Sequence, residues 1–106
     1  MSALEDVPIS VITLDELLFG LTAAPNSRVQ RWFDLFVDTY CRVLPITEPI
    51  ARHAGILRGQ LAGGGRPREQ ADMLIAATAA AHGLTLVTRN RKDFVGCGIA
   101  VVDPFE

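Results

Sequence analysis

Hydrophobic residues along the chain occur in two kinds of pattern, short continuous runs and longer stretches with a helical repeat. The short runs are rich in β-branched residues and predict buried strands at residues 7–13, 42–46, 84–88 and 99–102. Stretches with apolar residues three or four positions apart predict helices between them, at residues 14–24, 27–41, 48–62 and 68–82. A short helix or turn is expected around residues 93–96.

Polar and small residues support the ends of these predicted helices. Thr13 and Glu16 have the spacing of a capping box, in which side chains satisfy the free backbone N–H groups of the first turn. Ser27 begins the second helix in the same way, and Thr47 caps the third. Gly83 follows the fourth helix in the C′ position, where glycine accepts a positive φ without strain.

The helix at residues 27–41 has the clearest apolar face. Its hydrophobic residues recur at helical spacing while Arg and Asp occupy much of the opposite face, and they are Val29, Trp32, Phe33, Phe36, Val37 and Tyr40. This pattern predicts a helix that packs against the core.

The alternation of strands and helices predicts the fold class. It is typical of an α/β sandwich of three layers with a mainly parallel sheet. The strand at residues 7–13 is apolar on both faces, as expected of a strand covered by helices on both sides. With 106 residues, the chain is expected to form a single domain over residues 1–106.

Composition narrows the functional classes. Ten basic and 12 acidic side chains give a net charge of −2, which excludes a polyanion binder that works by overall charge. No apolar run approaches the roughly 18 residues of a membrane span. Cys41 and Cys97 lack the spacing of a zinc or disulfide motif, so free thiols in a reducing cytosol are expected.

Three carboxylates are expected at one edge of the sheet. Ligands of open parallel sheets bind beyond the carboxyl ends of the strands, and Glu16, Asp93 and the amide of Asn90 follow strands in the sequence. Asp72 begins an apolar helix that leads into the same strand, where an unpaired charge is costly. Clustered carboxylates need a cation, and oxygen ligands alone favour Mg²⁺ or Mn²⁺. Alternatively, Asp72 is only a first-turn acid stabilised by the helix dipole.

Basic residues lie next to these acids in the sequence. Arg89, Arg91 and Lys92 are placed to hold a phosphate backbone at that edge. Charge alone favours the other interpretation, which is an exposed, solvated loop.

Three segments resemble one known family. They are SVITLDELLFGL, DMLIAATAAAHGLTLVTRNRKDF and VVDPF, and in this order they resemble the PIN-domain ribonucleases, in particular the VapC-type toxins of toxin–antitoxin pairs. The resemblance covers nearly the whole chain. It implies an endoribonuclease that depends on Mg²⁺ or Mn²⁺, acts on RNA, forms a homodimer and is held inactive by a cognate VapB-type antitoxin.

The resemblance also implies roles for individual residues. By position, Glu16, Asp72 and Asp93 match the acids that bind the metal ion, and Thr88 and Asn90 match polar residues that line the same site. A VapC-type surface would accept an amphipathic antitoxin segment, for which Trp32, Phe33 and Phe36 supply apolar area.

One departure from the family pattern lies before Val7. PIN domains of this type begin with a central strand that ends in an Asp, and residues 1–6 are too short to contain it. The sequence therefore predicts a fold without its first strand, and weak or no nuclease activity for this chain. Two other functions remain open: an inactive PIN-like module that keeps antitoxin or dimer contacts, and a flavodoxin-like domain that binds a small ligand.

Overall fold

Two pairs of parallel strands and four α-helices form the fold in the computed structural model, which describes residues 6–105. In chain order the elements are β1 (Val7–Ser10), α1 (Val11–Ala23), α2 (Ser27–Tyr40), β2 (Cys41–Leu44), α3 (Glu48–Gly63), α4 (Gln70–Ala81), β3 (Leu86–Val87), a 3₁₀ helix (Arg91–Phe94) and β4 (Val101–Val102). The chain divides into two compact units, an N-terminal unit that ends at Pro45 and a C-terminal unit that begins at Ile46. Each unit contains one parallel strand pair.

In the N-terminal unit, β1 pairs with β2 in parallel, with Val7 opposite Cys41 and Ser10 opposite Leu44. The predicted strand 7–13 is too long, because the chain becomes helical at Val11. The side chain of Ser10 accepts a hydrogen bond of 3.1 Å from the Ile12 N–H and so caps α1. The predicted cap at Thr13 is therefore wrong.

The cap of α2 also differs from the prediction by one residue. Asn26 Oδ1 accepts hydrogen bonds from the N–H groups of Arg28 and Val29, at 3.1 and 3.2 Å. Asn26 has extended backbone angles, whereas Ser27 is already helical. The amide oxygen of Asn26 thus takes the capping role that the sequence pattern assigned to Ser27.

The apolar face of α2 is only partly buried. Within α2, all of which the structure describes, Phe33 alone is buried, and 62% of Trp32 is exposed. The Trp32 and Phe36 rings stack with centroids 5.3 Å apart, and Tyr40 continues the row at 5.7 Å. The predicted core position of Trp32 is wrong, because helical spacing identifies an apolar face without showing what covers it.

The C-terminal unit is built on α3 and α4, which pack against each other. Thr47 Oγ1 caps α3 by accepting from the Ile50 N–H at 3.4 Å, as predicted. The apolar face of α3 is buried as the spacing indicates, and it consists of Ile50, Ala54, Leu57 and Leu61. The helix ends at Gly63, and Gly65 has a φ of +80° that favours glycine.

Helix α4 is buried on several sides because its side chains are small. Met73, Ala76, Ala77, Thr78 and Ala79 are all buried. The Thr78 hydroxyl donates to the Leu74 carbonyl at 2.7 Å, which satisfies a polar group that has no access to water. The C-terminus is a Schellman motif, with Gly83 N–H bonded to Ala80 and Leu84 N–H bonded to Ala79. The predicted C′ role of Gly83 is confirmed by its φ of +63°.

Strands β3 and β4 pair in parallel over two residues each, with Leu86 opposite Val101. Both strands are shorter than the predicted runs. Strand β3 begins late because the Leu84 N–H takes part in the cap of α4. The Thr88 N–H extends the pairing by donating to the Val102 carbonyl at 3.0 Å. The chain therefore leaves β3 at Thr88, where the predicted site residues begin.

Candidate functional site

Asp72 lies in the first turn of α4, two residues after Gln70 begins the helix. Its side chain is half-buried and is held at this point by Met73, which is completely buried in the core beside it. A carboxylate at a helix N-terminus faces free N–H groups and the positive end of the helix dipole. Such a position is a common one for an acidic side chain.

Asp93 lies on the 3₁₀ helix of the same unit. Its backbone N–H donates to the Asn90 carbonyl at 3.0 Å, and the next residue, Phe94, is buried. These two anchors hold the half-buried Asp93 at the point where the chain turns after β3. The 3₁₀ helix packs against α4, which carries Asp72.

Arg68 connects the entry of α4 to the 3₁₀ helix. Its guanidinium Nη1 donates to the Lys92 carbonyl at 3.3 Å, although the two residues are 24 positions apart. The sequence did not single out Arg68, because nothing local indicates a contact at this separation. Its only sequence signal is that it lies four residues before Asp72.

Two charged residues near the Arg68 contact affect the pKa of the Cys97 thiol. Burial raises the pKa of the Cys97 thiol, while the nearby Arg68 lowers that pKa and the nearby Asp72 raises it. The thiol lies 3.8 Å from Met73 Sδ. Arg68 and Asp72 are therefore both close enough to the Cys97 sulfur to act on its charge.

The polar residues after β3 form a local turn. Thr88 Oγ1 accepts a hydrogen bond of 3.1 Å from the Asn90 N–H, which fixes the backbone that leads to the 3₁₀ helix. Thr88 is half-buried, whereas the side chain of Asn90 is exposed. Both residues thus lie on the segment between β3 and Asp93.

The basic residues of this segment are exposed. The Arg89 guanidinium lies over the Phe105 ring, 4.4 Å from its centroid. Phe105 is held in turn by its N–H, which donates to Asp103 Oδ1 at 2.8 Å. The predicted contact of Arg89, Arg91 and Lys92 with RNA phosphates stays a prediction.

Glu16 lies in the N-terminal unit, exposed and in the middle of α1. Asp72 and Asp93 belong to the C-terminal unit. Across residues 6–105, no group of three or more His, Cys, Asp or Glu side chains is placed to hold a metal ion. The convergence of the three acids stays a prediction. The chemistry of the donors, carboxylate oxygens throughout, fits Mg²⁺ or Mn²⁺.

The part of the sequence that contains these candidate residues matches a known family. The sequence model of the PIN domain family matches residues 1–95, so the chain belongs to the PIN domain family. It is 33% identical over 109 residues to the VapC ribonuclease Y4jK of Sinorhizobium fredii, covering 97% of this chain and 78% of that protein. It is 34% identical to the toxin FitB of Neisseria gonorrhoeae, covering 96% of this chain and 78% of FitB.

Solved structures agree with the sequence comparisons. The FitAcB structure from Neisseria gonorrhoeae matches with a TM-score of 0.81 and 32% identity, over 99% of this chain and 80% of that one. The VapBC-1 structure from nontypeable Haemophilus influenzae matches with a TM-score of 0.82 and 28% identity, over 95% and 76%. The predicted α/β PIN-like fold with parallel strands is thereby confirmed, and the flavodoxin-like alternative is dropped.

The structure does not test the prediction about the first strand. The absence of the family's first strand stays a prediction, and residues 1–5, on which it depends, lie outside the described residues. In the part of the chain that the structure describes, no helix is long and apolar enough to cross a membrane.

Proposed function

We propose that this chain is the endoribonuclease toxin of a toxin–antitoxin pair, and that it hydrolyses RNA phosphodiester bonds at a carboxylate-bound Mg²⁺ or Mn²⁺ ion. The observation that carries the proposal is that two half-buried acids lie on elements that pack together, Asp72 on α4 and Asp93 on the 3₁₀ helix, in a member of the PIN family. A relative from Shigella flexneri, 35% identical over 94 residues, is the tRNA(fMet)-specific endonuclease VapC.

In this proposal Asp72 and Asp93 hold the metal ion through their carboxylate oxygens, and the family resemblance assigns the same role to Glu16. The ion, when bound, polarises the scissile phosphate and lowers the pKa of a bound water. Asp72 suits this role because it lies in the first turn of α4, a common position for an acidic side chain. Thr88 and Asn90 line the site from the turn that leads to Asp93, and their hydrogen bond keeps that turn in one conformation.

Arg89, Arg91 and Lys92 supply the contacts to RNA phosphates. The chain as a whole carries a charge of −2, so the attraction to RNA is local to this segment. To contact RNA, the Arg89 guanidinium either moves away from the Phe105 ring or binds a phosphate while it stays over that ring. RNA binding of this kind weakens steeply with added salt.

A VapB-type antitoxin and a second copy of the chain are the proposed protein partners. The structural neighbours include complexes of FitAB and VapBC, the latter from Rickettsia felis and bound to promoter DNA. None of the residues of α1, a helix described in full, is buried, and Phe19 is 74% exposed. Apolar helix faces of this kind are typical of surfaces that another protein covers.

The experiment that tests the proposal measures thermal stability with Mn²⁺ and cleavage of RNA by the purified chain. We expect Mn²⁺ at about 100 times its Kd to stabilise the wild-type chain by roughly 2.7 kcal/mol, and Asp72→Asn to abolish the effect. Asp38→Asn is the matched control, because Asp38 is an exposed acid on α2. It should respond to Mn²⁺ as the wild type does.

RNA cleavage by the isolated chain is expected to be weak and to require the same ion. Any cleavage that Asp72→Asn leaves unchanged contradicts the proposed site. A wild-type chain that binds a partner helix but shows no response to Mn²⁺ supports the alternative, an inactive PIN-like binding module. That alternative is kept because the described residues contain no group of three or more ligands for a metal ion.

A further inference from the structure

Arg68 lies four residues before Asp72 and donates a hydrogen bond to the residue before Asp93, and these positions suggest a role in the metal site. We infer that Arg68 is a positioning residue: by holding the Lys92 carbonyl beside the entry of α4, it fixes Asp93 relative to Asp72. This inference rests on the proposed function, since it assigns to Arg68 the geometry of the proposed site.

The hydrogen bond of Arg68 acts on the peptide that carries Asp93. Lys92 contributes the carbonyl of that peptide and Asp93 its N–H, which donates to the Asn90 carbonyl. The two sides of one peptide group are thus held by different partners. Because a peptide group is planar and rigid, holding it fixes the N–Cα bond of Asp93, so that only rotation about this bond is left to change the direction of the Cα–Cβ bond.

Burial and packing indicate that Arg68 is held in place. Its side chain is half-buried, although the flanking residues Pro67 and Glu69 are exposed. Arg66 packs on the same segment, since a Cβ built on Gly96 would lie 3.6 Å from Arg66 Nη1. The loop before α4 therefore lies along the residues that follow the 3₁₀ helix.

The charge of Arg68 also matters to the acids. Arg68 and Asp72 shift the pKa of Cys97 in opposite directions, so both charges lie near the same sulfur. Before an ion arrives, a positive charge in this part of the unit offsets the negative charge of Asp72. Once a cation binds, however, the same positive charge opposes it, so charge and positioning predict opposite effects of removing Arg68.

The test measures the binding of Mn²⁺ to the full chain without RNA. The electron paramagnetic resonance signal of free Mn²⁺ reports how much of the ion stays unbound. Arg68→Met keeps the aliphatic stem but removes the hydrogen-bond donors and the charge. We expect it to raise the Kd for Mn²⁺ about tenfold, the effect typical of residues that orient metal ligands. Arg68→Lys, which keeps a donor and the charge, should recover most of the affinity. Its recovery shows that the affinity requires a charged hydrogen-bond donor at position 68.

Arg58→Ala serves as the control, because Arg58 is an exposed arginine on α3. Its Kd for Mn²⁺ should equal that of the wild type. An unchanged or lower Kd in Arg68→Met overturns the inference, as does a rise that Arg68→Lys fails to reverse. A loss of RNA affinity in Arg68→Met with unchanged Mn²⁺ binding also overturns it and assigns Arg68 to phosphate contact.

Asp72→Asn in the same titration separates this inference from the proposed function. If the wild-type chain binds no Mn²⁺, or Asp72→Asn binds it equally well, the proposed metal site fails and the role of Arg68 fails with it. If Asp72→Asn loses binding while Arg68→Met keeps it, only the inference on Arg68 is wrong.

Discussion

The substitution Met73→Ala tests the packing that places Asp72. Met73 has 0% of its surface exposed, and its Sδ contacts the thiol of Cys97 at 3.8 Å. Truncation at Cβ leaves a cavity in the buried cluster that Met73 shares with Leu57, Leu61 and Phe94. Met→Ala changes in cores cost about 2–5 kcal/mol, and the complete burial of Met73 places the expected loss near the middle of that range.

We therefore expect Met73→Ala to lower the free energy of unfolding by about 3–4 kcal/mol. Domains of this size have about 5–15 kcal/mol in total, so the loss is a large part of the stability. The melting temperature should fall by at least about 12 °C, at 4–8 °C per kcal/mol. Urea denaturation followed by far-ultraviolet circular dichroism measures the loss, because the signal comes from helices of both units.

Ile56→Ala is the control for this measurement. Ile56 lies on the neighbouring helix α3 but is 61% exposed, so its truncation should change the stability by no more than about 0.5 kcal/mol. If the two variants differ by less than about 1 kcal/mol, Met73 does not have the buried environment described above. The account of how α4 holds Asp72 would then be wrong.

Two further predictions concern a helix cap and a titrating thiol. Asn26→Ala should lower the free energy of unfolding by about 1 kcal/mol, whereas Ser27→Ala should have almost no effect; equal losses in thermal denaturation would contradict the cap at Asn26. Because burial raises the pKa of Cys97, the folded chain keeps the thiol proton at a pH where the unfolded chain loses it. The contribution of Cys97 to the free energy of unfolding is therefore fully present below about pH 8.5 and declines as the pH rises further. Because burial raises the pKa of the Cys41 thiol as well, Cys97→Ala should reduce the decline measured by urea denaturation between about pH 7.5 and 9.5 without removing it. Parallel curves for the two chains would show that Cys97 does not titrate differently on folding.

The helices could be predicted from the sequence because the signals that define them are local. The cap at Thr47 and the C′ glycine at position 83 depend only on neighbouring backbone groups, and both were predicted correctly. The caps of α1 and α2 were missed although Ser10 and Asn26 are also good capping residues. In each case a second candidate, Thr13 or Ser27, followed closely, and the pattern did not show which of the two leaves the extended conformation.

Exposure was harder to predict than helical structure. The spacing of Trp32 and Phe36 shows correctly that they share one face of α2. Whether that face is covered depends on what packs against it, and periodicity carries no such information. In the aromatic row on α2, Trp32 is therefore exposed and Phe36 and Tyr40 are half-buried, where the sequence predicted a core.

Asp72 and Asp93 were predicted from two different signals. Asp93 follows the end of a strand, and Asp72 places a charge, which is costly to bury, in an apolar helix. This reasoning located Asp72 and Asp93 on elements that pack together. It did not find Arg68, whose hydrogen bond joins residues far apart in the chain. Contacts of this kind depend on tertiary structure, and a single sequence contains no local signal for them.

The run of small buried residues in α4 has a consequence for genetics. Ala76, Ala77 and Ala79 leave no room for a larger side chain, so almost any substitution there crowds the interior. A selection for cells that survive expression of the chain would therefore return many α4 variants that simply fail to fold. Catalytic residues would be recovered from such a screen only after the surviving variants had been sorted by the amount of soluble protein they produce.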